Sequence, residues 1–217
     1  MKVRKIGEEK LDSLPASHPH ALANRKDLHL INRLMGTRRW FGRTLPDLVG
    51  TSGRILELGA GHGLLSDFLR RRHDQASLWQ WHALDIKPVP SRVTKGLQWH
   101  QADLMQFGDY NTFEVVFGNF ILHQFDETKL QSLGDRFQQG PRALVFQELW
   151  RTSAFYWGSL LLTLFMHPVT KHDARVSVRA GFRGQELADQ LGLDSATWTV
   201  KVEYSPMGAY RMVALRL

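Results

Sequence analysis

From Gly53 onward, short apolar runs alternate with stretches of helical spacing. The runs are "RILEL", "LWQWHALDI", "LQWHQADL", "TFEVVFGNF" and "GPRALVFQEL". Between them lie "LLSDFLRRRH" and "DETKLQSLGDRF", the second with Leu130, Leu133 and Phe137 on one helical face. Strands that alternate with helices predict a parallel sheet covered on both faces. The chain closes differently. "ATWTVKVEY" and "AYRMVALRL" are separated by "SPMG", a turn that pairs them antiparallel. The expected fold is therefore α/β: a mostly parallel sheet ending in an antiparallel hairpin.

Upstream of Gly53 the pattern is helical. Residues before about Asn24 show little periodicity. "DLHLINRLMG" places Leu28, Ile31, Leu34 and Met35 on one face, with Asp27 as N-cap and Gly36 as the stop. "TRRWFGRTLPDLV" reads as a second short helix. A third departure, "TSAFYWGSLLLTLFMHP", is apolar nearly all round and stopped by Pro168. The organisation expected is an N-terminal helical extension over 1–50 and a main domain over 51–217, with a cap inserted at about 150–180.

Composition excludes several chemistries. The sequence has no cysteine, which removes disulfides, thiolate metal sites and cysteine nucleophiles. Its start is charged and lacks a signal-peptide h-region. The longest apolar run, Ala154 to Met166, falls short of the roughly 20 residues a bilayer requires. A cytoplasmic protein without a transmembrane segment is expected, with peripheral membrane contact left open. The formal net charge of +7 reads chiefly as a solubilising surface, although it also suits an acidic partner.

The stretch "GRILELGAGHGLL", Gly53 to Leu65, runs a strand into three glycines and then a helix. Glycine lets the backbone turn tightly and lets a ligand approach it closely. A phosphate-binding P-loop needs Lys-Ser/Thr after its last glycine, and this chain has Leu64-Leu65. The dinucleotide fingerprint needs glycine at position 64. What remains is G-x-G-x-G with an acid two residues ahead of it.

On these residues the sequence resembles class I S-adenosylmethionine-dependent methyltransferases from about Gly53 onward. Glu57, Gly59, Gly61 and Gly63 match the family's first motif, with Ala60 in the loop. The resemblance implies a Rossmann-like seven-stranded sheet completed by the C-terminal hairpin. It implies that the cofactor, S-adenosyl-L-methionine, lies on the loop, with Glu57 near its ammonium. Asp85, about 20 residues on, would hold the ribose hydroxyls, and Ile86 would pack on the adenine. Asp103, flanked by Leu104, would bind the adenine amino group. Asn119 would stand at the end of the fourth strand beneath the sulfonium. His62, inside the loop, is read as packing over the cofactor.

The same resemblance narrows the acceptor. There is no Asn/Asp-Pro-Pro-Tyr-like motif after the fourth strand and no recognisable RNA-binding module, so a nucleic-acid substrate is the second reading, kept open by the net charge. "FILHQF" is similar to the Leu-His-His stretch of the small-molecule branch, which contains quinol and phenol methylases, with Gln124 in place of the second histidine. The segment after the fifth strand resembles the apolar cap helix and "Val-Thr-Lys/Arg-His-Asp" stretch of that branch. Tyr156, Trp157 and Phe165 are its candidate substrate contacts. An oxygen nucleophile benefits from a base near neutral pH, and histidine is the natural one. His123 and His172 are the candidates by position, while His18, His20 and His73 read as surface residues. The function expected is methyl transfer to a phenolic or quinol-like oxygen of a small apolar acceptor. The alternatives are methylation of a quinone or polyketide ring carbon, RNA methylation, and a cofactor-binding domain without catalysis. Oligomeric state is not legible.

Overall fold

The computed structural model describes residues 3–11, 14, 18–50, 52–72, 78–91 and 96–217; His73 lies outside them. Two helices come first, α1 (Pro19–Leu34) and α2 (Thr37–Leu48). Then follow β1 (Arg54–Leu58), α3 (Leu64–Arg70), β2 (Gln80–Asp85), β3 (Leu97–Gln101), β4 (Val115–Asn119), α4 (Glu127–Phe137) and β5 (Ala143–Leu149). The chain continues with α5 (Ser153–Leu162), α6 (Pro168–Ala180), α7 (Glu186–Gln190), β6 (Trp198–Tyr204) and β7 (Ala209–Arg216). The seven strands lie in the order β3-β2-β1-β4-β5-β7-β6. The first five pair in parallel, and β7 pairs antiparallel with both β5 and β6. The alternating rhythm and the terminal hairpin thus build the sheet they predict.

The central strands β1, β2, β4 and β5 are buried on both faces, as parallel strands between helices must be. Side chains alternate with period two. Ile55, Val115, Phe117 and Val145 join Trp40, Phe41 and Leu45 of α2 and Leu69 of α3 in one core. Leu56, Leu58, Val116, Leu144 and Phe146 join Leu130, Leu133 and Phe137 of α4 and Leu187 of α7 in the other. The same alternation sends the neighbouring polar residues Gln147 and Glu148 to opposite faces of β5.

Two expectations about the termini of helices are corrected. The chain before Asn24 is not loose throughout: α1 begins at Pro19, with the His18 ring accepting from the His20 amide as its N-cap. Asp27 therefore sits inside α1, where its carboxylate accepts from the His167 amide (2.9 Å) and the Thr170 hydroxyl (2.6 Å). Pro168 does not simply stop the cap helix. It is the first residue of α6, the position where a missing N–H costs nothing, and the His167 ring caps that helix by accepting from Val169 N. Gly36 stops α1 as expected, in the left-handed conformation at φ 68°.

Candidate functional site

The glycine loop joins β1 to α3 at the C-terminal edge of the sheet, where open α/β sheets bind ligands. Gly59, Gly61 and Gly63 have φ of 61°, 59° and 66°, a region that L side chains enter only with strain. Their surroundings differ. A Cβ on Gly59 would lie 2.6 Å from Ile121 Cγ1, so that glycine lets β4's following turn pack on the loop. A Cβ on Gly61 would meet nothing within 4 Å, because that backbone faces a cavity. Gly61 is thus the bare surface a ligand can lie on.

Glu57 shares the α3 face of β1 with Ile55. It is buried, and its Oε2 accepts from the Ser66 amide (3.1 Å) and the Ser66 hydroxyl, tying β1 to the first turn of α3. Burial pushes its carboxyl up to about 7 against the pull of the Ser66 hydrogen bonds, with nearby Asp85 adding to the rise. Asp85 ends β2. Its Oδ2 accepts from Gly61 N (2.7 Å) and its Oδ1 from Lys87 N (2.8 Å), so it fixes the loop whose backbone is exposed. Ile86 beside it is 65% exposed. Asp103 closes a turn by accepting from Met105 N (2.8 Å). That turn carries Leu104 inward. Its side chain packs with Phe107 and Tyr110 in the core. Asp85, Ile86, Asp103 and Leu104 do not line the cavity; the first three form a shelf along the ends of β2 and β3.

The cavity itself measures about 350 Å³, within the range of small-ligand sites. At one end it is walled by Glu57, Gly59, Ala60, Gly61 and His62, with Arg25 and Arg38 also lining it. His62 is pushed below its ordinary value, first by burial and then by Arg25 and Lys87. At the other end stand Glu9, His123, Asp173 and Ser177. Asn119 and Phe120 lie on its wall as well. The Asn119 amide is fixed on both sides, donating to Asn32 Oδ1 (3.0 Å) and accepting from Gln147 Nε2 (3.0 Å). Gln147 in turn donates to Thr37 Oγ1 (2.6 Å) and accepts from Arg211 Nε (3.0 Å). This buried polar chain stitches α1, α2, β4, β5 and β7 together. Phe120 is the one non-glycine residue with positive φ among the described residues, at 57°. A bulky side chain held there carries strain of about 1–3 kcal/mol, a feature that clusters at ligand sites.

His123 lies in a short 3-10 turn, Leu122–Gln124, after β4 and is buried. Its Nδ1 is 2.7 Å from Glu148 Oε2 and its Nε2 is 3.1 Å from Glu9 Oε1. Glu148 is fully buried, and its other oxygen accepts from the amides of Ile121 (3.0 Å) and Leu122 (2.7 Å). Ionised carboxylates only accept, so a ring held between two of them carries a proton on both nitrogens. Burial opposes that charge, but Glu148 and Glu9 overcome it and raise the imidazole to about 10.

The other predicted substrate groups are not brought to the cavity. His172 does not line it; its ring is 41% exposed and bonds its neighbour Asp173 (Nδ1–Oδ1 3.0 Å). It is Asp173 that faces inward. Trp157 and Phe165 are 64% and 96% exposed, and the Tyr156 hydroxyl accepts from Arg179 (2.8 Å). The cavity instead takes Phe155, Ser159, Leu162 and Thr163. The cap segment is apolar around its whole circumference, so its sequence has no stripe to show which face turns in. Glu9, Glu148, Asp173 and Ser177 were not legible as site residues, since only folding brings them together.

No profile of a known protein family matches the chain, and no curated protein matches it by sequence. Solved structures do match in shape. The plantazolicin methyltransferase BpumL, in complex with SAH, aligns with a TM-score of 0.73 at 11% identity over 96% of this chain and 93% of that one. The plantazolicin methyltransferase BamL, in complex with a triazolic desmethylPZN analog and SAH, gives 0.72 at 10% identity over the same shares. The pyocyanin biosynthetic protein PhzM gives 0.63 at 17% identity, over 95% of this chain and 60% of that one. With the strand order above, these likenesses establish the Rossmann-like fold of class I methyltransferases.

Proposed function

We propose that this chain transfers a methyl group from S-adenosylmethionine to a hydroxyl of a small, largely apolar acceptor of the phenol or quinol class. One observation carries the reading. A single cavity runs from the bare backbone of Gly61 to an imidazole whose Nδ1 is held by a buried glutamate. The comparisons support it, because structures of the same fold hold SAH.

The residues present fit that cofactor. Gly61 leaves open the space a Cβ would fill. Asp85 uses one acceptor position on each oxygen for the loop. A carboxylate offers about four such positions, so it retains capacity for ribose hydroxyls. Ile86 presents an exposed apolar face for adenine, and Asp103 is next along the shelf. Glu57, buried with a raised pKa, gains a favourable partner when a cation binds beside it. Asn119 is fixed at the strand end between the two halves. When bound, the cofactor supplies an electrophilic methyl group on a positively charged sulfur.

The chain contributes position and proton handling. Cap residues Phe155, Leu162 and Thr163 close an apolar wall over the acceptor. Glu148 fixes the His123 tautomer, so that Nε2 is the nitrogen turned to the acceptor. In the reaction the acceptor hydroxyl gives its proton to Nε2. The oxygen left behind would be the nucleophile for the methyl group that the bound cofactor would supply. Neutral imidazole is required for this step, and the ring clamped by Glu9 is not neutral. Methylation of an activated ring carbon is the second reading, favoured by that same clamped cation, which would stabilise a ring oxyanion without taking a proton. The test is incubation with S-adenosylmethionine and a panel of phenols and quinols, with mass spectrometry of the products. Methyl ethers support the oxygen reading, ring-methylated products the second. Turnover of RNA and of no small acceptor contradicts both.

A further inference from the structure

Residues 3–11 lie across the acceptor end of the cavity and are tied down at several points. The Arg4 guanidinium donates to Ala180 O (2.9 Å), to Gln190 Oε1 (2.5 Å), and to the carbonyls of His123 (3.2 Å) and Phe125 (3.0 Å), and it stacks 4.3 Å over the Phe182 ring. Lys5 N donates to Arg179 O (3.0 Å). Farther along, the amides of Lys10 (2.8 Å) and Leu11 (3.0 Å) both donate to the Asp173 carboxylate. Between these anchors the Glu9 carboxylate reaches inward to His123 Nε2 and accepts from the Ser177 hydroxyl.

Asp173 lines the acceptor end of the cavity together with His123 and Ser177, and Glu9 stands where an acceptor hydroxyl must reach His123 Nε2. We propose that this segment is a strap that holds the acceptor site shut, with Glu9 occupying the place at His123 Nε2 that the acceptor must take. The inference rests on the reading of His123 as the acceptor-side base. Lifting the strap removes one of the two carboxylates from the ring and leaves it bound to Glu148 alone. The ring then loses its Nε2 proton at a lower pH and becomes a base in the step that admits the acceptor. The same contact keeps the ring charged and unreactive when no acceptor is present.

Two charged groups bond this ring, Glu148 from β5 and Glu9 from the strap; Arg4 bonds the His123 carbonyl, Asp173 lines the same cavity from α6, and His172 acts on Glu9. Glu9 is held below the ordinary carboxylate range: burial works to raise it, but the His123 and Ser177 contacts outweigh burial. The clamp is therefore complete at neutral pH, with both partners charged.

The test uses the full chain and two variants. Glu9→Gln removes the charge and keeps the side chain's shape. Arg4→Ala leaves Glu9 intact and cuts the anchor. The ¹⁵N titration of His123 in ligand-free protein, assigned with His123→Gln, is read first. The strap predicts a midpoint well above that of free histidine in the wild type, lowered by a unit or more in both variants. A midpoint lowered in Glu9→Gln but unmoved in Arg4→Ala shows a local ion pair and overturns the strap. The second readout is kcat/KM for a phenol at pH 7, which should rise about tenfold for each unit by which the midpoint falls. Lowered midpoints with unchanged rates overturn the gating role. If no form turns over any phenol, the oxygen-acceptor reading fails, and the titration still decides whether the strap holds the ring.

Discussion

The two ends of the cavity are built in different ways. The end proposed for the cofactor comes from one contiguous loop and the strand ends beside it. Gly59, Gly61 and Gly63 set its backbone, Asp85 pins it from the next strand, and Glu57 ties it to α3 through Ser66. The end proposed for the acceptor is assembled from distant chain segments: Glu9 and His123 are 114 positions apart, and Glu9 and Ser177 are 168 apart. A site made of local backbone geometry has one dominant state. A site made of long-range charged contacts can exist with or without one of its members. The first therefore suits a ligand that must always be held in one pose, the second a gate.

This comparison can be broken by variants that separate the ends. The largest effect is expected from Gly61→Val. It places a side chain in the cavity and forces a β-branched residue to φ near 59°. SAH binding by calorimetry should vanish while the fold persists; retained binding would remove the loop from the cofactor site. Next, His123→Gln should lower kcat by about 10²–10⁴-fold, the usual contribution of a positioned base, with SAH affinity nearly unchanged. Comparable losses in both quantities would show that the two ends are one unit. Asp85→Ala should weaken SAH about tenfold or more, given roughly 1.5–3 kcal/mol for a hydrogen bond to a charged group. Part of that loss would come from freeing the Gly61 amide.

A smaller effect follows from Glu57. Its pKa is raised above that of an ordinary carboxylate, to about 7, so the folded protein favours the protonated form. In the ligand-free protein stability should therefore fall as pH rises from the ordinary carboxylate range to about 7, where the unfolded chain is ionised and the folded one is not, and level off above that. A cation bound beside it favours the carboxylate. Affinity for S-adenosylmethionine should therefore rise between pH 6 and 8, with a proton released on binding. Calorimetry in buffers of different ionisation enthalpy reads that proton directly. No release at pH 6.5 would place Glu57 outside the charge of the site. The smallest effect is expected at the cap. Trp157→Ala, on the exposed side of α5, should change stability by no more than about 0.5 kcal/mol and leave the acceptor KM alone. Phe155→Ala, on the cavity side, should raise it.

The glycine-loop end of the cavity was legible in the sequence because its signals are local. Glycines at alternate positions after a strand have few physical explanations, and Asp85 follows at the spacing that a βαβ unit imposes. The sheet was legible for a related reason, since periodicity and turn chemistry act over a few residues. The burial of Leu104 is set by the Asp103 turn, and a turn's direction is not in its composition. The cap helix was recognised but its inward face was not: Trp157 and Phe165 are as apolar as Phe155 and Leu162. His172 sits beside Asp173 in sequence, yet only Asp173 faces the cavity. Glu9 lay in a stretch with no periodicity, and nothing local to it predicts a partner on the far side of the molecule. His123 lies after β4 and lines the cavity, but its proton state depends on Glu148 and Glu9, which only the fold supplies.

The most direct test is a crystal structure with SAH and a phenol bound together. The account predicts SAH lying on the Gly59–Gly61 backbone, with its ribose at Asp85. The phenol oxygen should stand within hydrogen-bond reach of His123 Nε2, about 2.6–3.2 Å, and the Glu9 carboxylate should be displaced from the ring. A phenol bound away from His123, with Glu9 still seated on Nε2, would contradict it.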